Sequence, residues 1–330
     1  MSKNNHPGDN LSRRSIILNV SPSCFVACVG CYNNFADSWR DKSTVKVEEI
    51  LSFVQNAKHR GHTKITLGGG DPLSRPDIIE LLGGIRNLGL KVHLDTVGTA
   101  FLADANTIFH GKGVVRQVDP ASLSGLVDLI GIPLDGANQE TASLFRRGRP
   151  DLFAEQVRII RLLTSAGHQV CVNTVVSQYN VDRLVPLFEC ISALPIKEWQ
   201  LFQFMPIGPL GTRNQEKLWI SEPEFQAAVQ EIQLLNQERG SQILVKPKSI
   251  NDRAGRYLIV DDSGMAWSPT GLDNNVVRFG SIREHRGLDV LDLVEYLDRA
   301  ATQIDCNRTL RLDAGRRNAP LRDQRPGPTP

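Results

Sequence analysis

Short apolar runs alternate along this chain with longer segments whose apolar residues recur at helical spacing. In the segment 45–60, for example, Val47, Ile50, Val54 and Ala57 fall on one face of a helix. Strands that alternate with helices are typical of a parallel α/β architecture. The pattern predicts strands over residues 16–20, 64–67, 91–96, 126–134, 170–176 and 199–204, and helices over residues 45–60, 78–88, 140–145, 153–166 and 181–194.

The pattern changes in the last third of the chain. Residues 222–239 predict one long helix, and residues 257–269 predict a hairpin that turns at Asp262-Ser263-Gly264. Both ends of the chain are polar, which predicts flexible segments without a core. We therefore predict a flexible lead over residues 1–14, an α/β body over 15–212, a small α+β C-terminal extension over 213–312 and a disordered tail over 313–330.

Composition excludes several classes of protein. A chain of 330 residues that is 41% hydrophobic can bury a large core. Its formal net charge of +2 gives no general reason to expect nucleic acid or a membrane surface as a partner. No apolar run reaches the roughly 18 residues of a transmembrane helix, and the polar N-terminus lacks the apolar core of a signal peptide. We therefore expect a cytoplasmic protein with reduced cysteines.

Three cysteines, Cys24, Cys28 and Cys31, follow the first predicted strand within one short stretch. Thiolates are ligands for zinc and for iron–sulfur clusters. A structural zinc site normally has four protein ligands, and the nearest candidates for a fourth are His6 and His59. A cubane cluster held by three cysteines leaves one iron open to a small molecule. A zinc knuckle completed by a distant residue, or thiols that are neighbours by chance, are the alternatives.

Two other stretches suggest contacts with a ligand. The turn Gly68-Gly69-Gly70-Asp71 follows the second predicted strand, and glycines let the backbone approach a ligand closely, although such a turn alone is a weak signal. Residues 146–150, Arg-Arg-Gly-Arg-Pro, predict either a solvated loop or an anion clamp, because arginine forks match carboxylate and phosphate geometry. The remaining cysteines are scattered and are interpreted as buried thiols: Cys171, Cys190 and Cys306.

The spacing Cys-x3-Cys-x2-Cys after a first strand resembles the signature of the radical S-adenosylmethionine (radical SAM) superfamily, and later stretches fit the same family in order over residues 15–282. The resemblance implies a partial (β/α)6 barrel and one [4Fe–4S] cluster bound by Cys24, Cys28 and Cys31. It also implies that S-adenosylmethionine (SAM) is cleaved at the open iron to a 5′-deoxyadenosyl radical. Two positions depart from the family: Gly30 stands where an aromatic residue is common, and Pro133 where a serine is common.

The resemblance also implies particular binding residues. The glycine turn resembles the Gly-Gly-Glu-Pro motif that meets the amino group of SAM, with Asp71 in place of the glutamate. Asn173 resembles a polar strand position that meets SAM. The residues expected to bind SAM are Gly69, Gly70, Asp71, Thr96, Asn173 and Tyr32, and those expected to bind the substrate are Arg147, Arg149, Tyr257 and Asp261.

Residues 253–282 resemble the C-terminal part of the branch that includes viperin and the molybdenum-cofactor GTP cyclase. An auxiliary cluster needs several thiolates, and Cys306 stands alone, so none is expected. Without a second electron acceptor, a redox-neutral outcome such as elimination or decarboxylation is favoured. We therefore expect a lyase-type radical SAM enzyme that acts on a small polar metabolite (a sugar, nucleoside or carboxylate) in antibiotic-type biosynthesis, with flavodoxin or ferredoxin as electron donor.

Two alternatives stay open. One is a radical enzyme that modifies a peptide or protein, or a glycyl-radical activase, a class that the run Gly30-Cys31-Tyr32-Asn33 resembles. The other is a non-catalytic zinc or iron–sulfur scaffold that senses iron or redox state. Such a scaffold uses the three cysteines but leaves the glycine turn without a role. No general acid or base is assigned from the sequence.

Overall fold

The structure, a computed structural model, describes residues 14–33, 44–109, 113–270 and 275–299. The chain divides into one unit formed by Arg14–Val290 and a second formed by Met1–Arg13 with Leu291–Pro330. The second unit is described only over residues 291–299, which are helical. Residues 1–13 of the predicted lead, the predicted tail and Cys306 lie outside the described residues. The sheet and all site residues discussed below belong to the first unit.

Ten strands of the described residues form the main sheet: β1 (Ser15–Asn19), β2 (Lys64–Gly68), β3 (Lys91–Asp95), β4 (Leu129–Pro133), β5 (Val170–Val176), β6 (Glu198–Gln203), β7 (Leu244–Lys248), β8 (Tyr257–Val260), β9 (Met265–Pro269) and β10 (Val276–Ser281). Their spatial order is β7-β6-β5-β4-β3-β2-β1-β8-β9-β10. Neighbours from β7 through β8 run parallel, whereas β9 and β10 are added antiparallel. A parallel sheet of this kind ends all its strands at one edge, where ligands gather.

The helices connect the parallel strands and pack their apolar faces on the sheet. In α1, for example, Ile50, Phe53 and Val54 are buried, as the helical spacing predicts. No helix in the described ranges is long and apolar enough to cross a membrane. The described helices of the first unit are α1 (Val47–His59), α2 (Ile78–Asn87), α3 (Gln139–Phe145), α4 (Leu152–Ser165), α5 (Leu184–Ser192), α6 (Gly208–Arg213), α7 (Gln215–Leu218), α8 (Glu222–Glu238) and α9 (Ile250–Arg253), and residues 288–290 are also helical.

The α/β prediction is confirmed, and the structure extends it. All six predicted strands are present, as β1 to β6. The C-terminal segments add strands to both sides of these six, because β7 pairs with β6 and β8 pairs with β1. The main sheet stays open, with β7 and β10 at its two edges. The C-terminal hairpin therefore becomes a wall of the same sheet that carries the cysteine loop.

The two faces of the sheet differ in polarity. One face carries Leu18, Leu67, Leu94 and Ile132, which are all buried and aliphatic. The strand registers place glycines and polar residues on the opposite face, because successive side chains alternate across a strand. That inner face presents Gly68, Asp95, Gly131, Asn173 and Gln200. The helix-covered face thus stabilises the fold, and the inner face is left for polar chemistry.

Trp199 on β6 is the largest fully buried side chain in the described part of the chain. Its ring stacks on that of Phe188, with a centroid separation of 6.4 Å. Its Nε1–H donates to Thr174 Oγ1 at 2.8 Å, so the polar end of the indole is also satisfied.

We expect Trp199→Ala to lower the free energy of unfolding of the cluster-free protein by about 3–5 kcal/mol, because it leaves a large cavity and removes the hydrogen bond that Thr174 Oγ1 accepts. Urea denaturation measures this loss. Leu234→Ala on α8, where Leu234 is 53% exposed, is the control and should change stability by about 0.5 kcal/mol or less. Equal losses in the two variants would contradict the importance of the Trp199 contacts.

Candidate active site

A cavity of about 280 Å³ lies at the carboxyl ends of the parallel strands. Gly68, Asp95, Pro133 and Gln203, which end four of these strands, line it. The C-terminal hairpin closes another side with Tyr257, Ile259 and Pro269. Ligands of parallel α/β proteins bind at this end of the strands. The cavity is therefore the candidate active site.

The structure brings six of the predicted binding residues together at this cavity. They come from the loop after β1, the glycine turn, the residue after β3, the middle of β5 and the start of β8. The six are Tyr32, Gly69, Gly70, Thr96, Asn173 and Tyr257. Four other predicted residues do not line it: Asp71, Arg147, Arg149 and Asp261.

Backbone contacts hold the loop that carries Cys24, Cys28 and Cys31. The Cys24 N–H donates to the carbonyl of Phe109 at 3.0 Å, and the Cys24 carbonyl accepts from the N–H of Ile108 at 2.9 Å. Farther along, Ala27–Cys28 pairs antiparallel with Arg146–Arg147. The path of the loop is therefore set by two distant segments of the chain.

Burial raises the pKa of each of the three thiols, that of Cys31 to about 12. The other causes show that the thiols are neighbours, because Cys28 and Cys31 further raise the pKa of Cys24, and Cys28 raises that of Cys31. Three thiolates at this place repel one another and need a cationic partner. A bound metal supplies one, since it deprotonates the thiols that coordinate it.

The donor chemistry of the three thiols suits an iron–sulfur cluster. In the described ranges, no three His, Cys, Asp or Glu side chains converge as the ligands of one metal ion would. Each cysteine of a [4Fe–4S] cluster binds a different iron, so convergence on one point is not required. A closed zinc site would need a fourth ligand at the same point. The donor set therefore fits a cluster with one open iron.

Arg146 is the member of the arginine run that reaches the site. Its Nε lies 2.6 Å from Oδ2 of Asp135, which is buried after β4, and its Nη1 donates to Cys28 Sγ at 3.5 Å. Burial lowers the pKa of Arg146. Asp135 and Cys28 raise it by more than burial lowers it, so the net shift is upward. A permanent positive charge thus lies beside Cys28. The sequence could not separate Arg146 from its neighbours, because their partners are distant in the chain.

The glycine turn packs directly against the cysteine loop. The Gly70 N–H donates to the carbonyl of Ser21, and the Asp71 N–H to that of Ser23, both at 2.7 Å. A Cβ on Gly70 would collide with the carbonyl oxygens of Pro22 and Ser23. Glycine is therefore required at this position by the packing of two loops, in addition to any contact with a ligand.

The Asp71 side chain is fully buried and faces the protein, contrary to the expectation that it meets SAM. Its carboxylate accepts hydrogen bonds from Thr96 Oγ1 at 2.8 Å, from the Val97 N–H at 2.7 Å and from the Leu73 N–H at 2.9 Å. Burial raises the pKa of Asp71 to about 6, although these hydrogen bonds lower it. Asp71 therefore holds Thr96 and the glycine turn in place. An aspartate side chain, which is shorter than the glutamate of the Gly-Gly-Glu-Pro motif, is long enough for these contacts.

A polar group on the inner face of the sheet borders the cavity. Asn173 Nδ2 donates to Asp95 Oδ1 at 2.7 Å, and His93 Nε2 lies 3.1 Å from the same oxygen. Any side chain at Gly131 would collide with both Asp95 and Asn173. Alternation in Lys91-Val-His-Leu-Asp places His93 and Asp95 on one face and is the signal that finds them. His93 and Asp95 together can hold or move a proton beside the cavity.

Three residues expected to bind the substrate have other partners or positions. Arg149 makes two hydrogen bonds of 2.6 Å to the carboxylate of Glu155. Asp261 accepts from the Ser263 N–H at 2.9 Å and stabilises the turn of the hairpin. Arg147 is exposed. Of the three arginines in the run, Arg146 lines the cavity, and it is paired with Asp135.

Gly30 leaves room for an aromatic ring that comes from another strand end. A Cβ on Gly30 would lie 2.6 Å from Cε2 of Phe204, which follows β6 and lines the cavity. Tyr32, on the other side of Cys31, donates its hydroxyl to Asn19 Oδ1 at 3.1 Å and packs near Trp267. The ring of Phe204 thus lies beside Gly30, the position where the family motif commonly has an aromatic residue.

Comparison with known proteins decides the family. A family model described as the Radical SAM superfamily matches residues 18–190, which is more than half of the chain. The chain belongs to the radical SAM superfamily. Membership implies a [4Fe–4S] cluster and SAM, and the loop of Cys24, Cys28 and Cys31 is the part of this radical SAM protein whose donors fit the cluster.

Its radical SAM relatives have several activities. An AdoMet-dependent heme synthase of Methanosarcina barkeri is 27% identical over 213 residues, 64% of this chain and 56% of that protein. An S-adenosylmethionine-dependent nucleotide dehydratase of Flammeovirga pacifica is 23% identical over 256 residues, 76% and 80% of the two chains. A PqqA peptide cyclase of Streptomyces rochei is 25% identical over 219 residues, 64% and 54%. The chain thus spans about half the length of the heme synthase and the peptide cyclase.

Solved radical SAM structures share the fold. Streptococcus suis SuiB bound to S-adenosylmethionine matches with a TM-score of 0.63 at 12% identity, over 84% of this chain and 65% of that one. Native anSMEcpe with bound AdoMet matches with a TM-score of 0.60 at 16% identity, over 84% and 79%. At such identities the likeness shows the fold alone.

We expect Gly70→Ala to destabilise the protein by about 1–3 kcal/mol and to reduce the iron bound after anaerobic reconstitution, because the new methyl group separates the glycine turn from the cysteine loop. Iron analysis and urea denaturation measure the two effects. Gly83→Ala is the matched control, since nothing lies within 4 Å of its Cβ position and alanine favours the α2 helix. Full iron content in Gly70→Ala would contradict the packing argument.

We expect Arg146→Met to lower the free energy of unfolding by about 3–5 kcal/mol, because Asp135 is then left as a buried carboxylate without a cation. The double variant Asp135→Asn/Arg146→Met should recover part of that loss. Arg147→Met, at the exposed neighbour, is the control. Denaturation of all three decides the point, and equal stabilities for Arg146→Met and Arg147→Met would contradict it.

Proposed function

We propose that this radical SAM enzyme binds one [4Fe–4S] cluster through Cys24, Cys28 and Cys31 and uses the 5′-deoxyadenosyl radical to take a hydrogen atom from a small polar metabolite. The observation that carries the proposal is the cavity itself. It is bounded by the glycine turn, which packs on the cysteine loop, and by the polar inner face of the sheet. A cofactor beside the cysteines and a substrate beside the sheet would therefore share one space.

The residues around the cavity fall into two groups, those that would hold SAM and those that would exclude water. The cluster, when bound, supplies the electron for SAM cleavage and an open iron for SAM. The backbone of Gly69 and Gly70, with Tyr32, Thr96 and Asn173, would hold SAM against the loop. Phe204, Ile207 and Val175 line the cavity with apolar surface and would keep water from the radical.

A redox-neutral reaction suits the inner face of the sheet. Asp95, supported by His93 and Asn173, is placed to give or take a proton when a substrate radical loses a leaving group. The Flammeovirga relative, the one of the three whose length this chain matches best, is named as a nucleotide dehydratase. We therefore place elimination first and decarboxylation second, in specialised biosynthesis, with flavodoxin or ferredoxin as the electron donor. The predicted extension 213–312 would contribute Tyr257 to the substrate side.

Peptide modification is the second candidate function. It is favoured by one observation, the match to a peptide cyclase of Streptomyces rochei. A substrate panel separates the two candidates, since the correct class should accelerate 5′-deoxyadenosine formation above the rate without substrate. Nucleotides, sugar phosphates and organic acids form one arm of the panel, and short peptides form the other. Acceleration by peptides alone would contradict the small-metabolite proposal.

We expect Cys28→Ala to lose the cluster and SAM cleavage, because one of three iron ligands is removed. Iron, sulfide and zinc content, electron paramagnetic resonance and 5′-deoxyadenosine formation are measured on protein reconstituted without oxygen. Cys190→Ala is the matched control, since Cys190 lies on α5 and its thiol bonds the Ala137 carbonyl. SAM cleavage that persists in Cys28→Ala, or stoichiometric zinc without cleavage in the parent protein, would disprove the proposal.

A further inference from the structure

Arg253 is a cavity residue whose charge has no acidic partner among the residues that the structure describes. It ends α9, lines the cavity and lies over the ring of Phe202 at 5.8 Å from its centroid. Its Nε–H donates to the Ser249 carbonyl at 3.1 Å, and its Nη2 donates to the Gln203 carbonyl. Among the described residues it makes no ion pair with a carboxylate. Arginine inside a protein is normally paired, so this guanidinium calls for an explanation.

The position of Arg253 is fixed by the surrounding fold. Ser249 and Asp252 form a capping box at the start of α9. Gln203 at the end of β6 accepts from the Ile250 N–H at 2.9 Å and donates to the Ile220 carbonyl at 3.1 Å, which fastens α9 to the sheet. The two backbone carbonyls then orient the guanidinium. Its Nη1 side is left without a hydrogen-bond acceptor among the described residues.

Tyr257 adds a second donor from the same segment. Its side chain lines the cavity, and its hydroxyl makes no hydrogen bond to any described residue. Burial raises the pKa of Tyr257 while the charge of Arg253 lowers it, which places the two groups within electrostatic reach of each other. The phenol is therefore a neutral donor at neutral pH. Arg253 and Tyr257 thus present unused donors to one cavity.

The remaining charges around this pair leave room for an anion. Asp252 and Glu222 act on Arg253 from a distance. The carboxylate of Asp95 already accepts a hydrogen bond from Asn173 and lies 3.1 Å from His93 Nε2. Burial lowers the pKa of Arg253 to about 10, so it stays protonated at neutral pH but is poorly solvated. Charged donors of this kind bind carboxylate and phosphate oxygens strongly.

We propose that Arg253 and Tyr257 form an oxyanion site that binds a carboxylate or phosphate group of the substrate. This inference rests on the proposed function and deepens it, because it narrows the substrate from a polar metabolite to an anionic one. It also moves the anion site from the arginine run at residues 146–150, which the sequence suggested, to the end of α9 and the start of β8.

The test measures binding of matched charged and uncharged probes to reconstituted protein that contains SAM. The phosphate probes are the four ribonucleoside triphosphates with their nucleosides as uncharged counterparts, and the carboxylate probe is succinate with succinamide. Calorimetric titration gives each dissociation constant without turnover. We expect at least one oxyanion to bind and its uncharged counterpart not to bind, and the arm that binds identifies phosphate or carboxylate. Failure of every oxyanion probe to bind would overturn the proposal.

Variants then locate the site. Arg253→Met should raise the dissociation constant of that oxyanion about tenfold or more, equivalent to about 1.4 kcal/mol, and Tyr257→Phe should raise it about threefold. Tyr257→Phe leaves the bonds of Arg253 to Ser249 and Gln203 intact, so it keeps the test valid if Arg253→Met folds poorly. Arg213→Met on α6, where Arg213 is exposed, is the matched control and should change nothing.

The dissociation constant of SAM, measured on the same variants without an oxyanion, separates two sources of carboxylate. A loss of SAM affinity in Arg253→Met with unchanged oxyanion affinity would mean that the arginine holds SAM, and this would overturn the substrate assignment. An unchanged oxyanion affinity in both Arg253→Met and Tyr257→Phe would overturn the site. Absence of SAM cleavage in the parent protein would instead disprove the proposed function, and the binding measurements do not depend on that result.

Discussion

The backbone contact between the cysteine loop and the glycine turn is the constraint on which the rest of the site depends. Ser21 and Ser23 accept the N–H groups of Gly70 and Asp71 at a distance that leaves no space for a side chain on Gly70. This fixes the cysteines against the end of β2. The carboxylate of Asp71 extends the same arrangement to Thr96 after β3. These connected hydrogen bonds thus fix the ends of β1, β2 and β3 relative to one another, and the cavity lies among them.

Much of the fold is readable from the sequence, because its causes are local. Helical spacing gives the helices, apolar runs give β1 to β6, and their alternation gives a parallel sheet. The cysteine motif and the glycine turn are likewise contiguous in the chain. The placement of β8 beside β1 is different, since Ser15 and Tyr257 pair across most of the described chain. The residue pattern within β1 or within β8 does not specify which strand pairs with it.

The orientations of the polar side chains of the site also depend on contacts that no local pattern encodes. Among three arginines in one short run, Arg146 turns inward because Asp135 lies at the end of β4, and Arg149 turns away because Glu155 follows on α4. Those partners decide the geometry, and the sequence offers all three arginines equally. Arg253 belongs to no sequence motif. It stands out in the structure because no carboxylate among the described residues forms an ion pair with it. Burial and pairing become visible only in three dimensions.

The pairing of β1 with β8 also sets an order of events during synthesis. The segment that carries Cys24, Cys28 and Cys31 leaves the ribosome well before the wall formed by β8 and β9. Until then the edge of β1 has no partner on that side, and an unpaired parallel edge readily joins other strands. A nascent chain can therefore expose the three thiols of the cysteine loop before β8 and β9 enclose the cavity. The enclosure of the cavity therefore depends on a segment that is synthesised long after the cysteine loop.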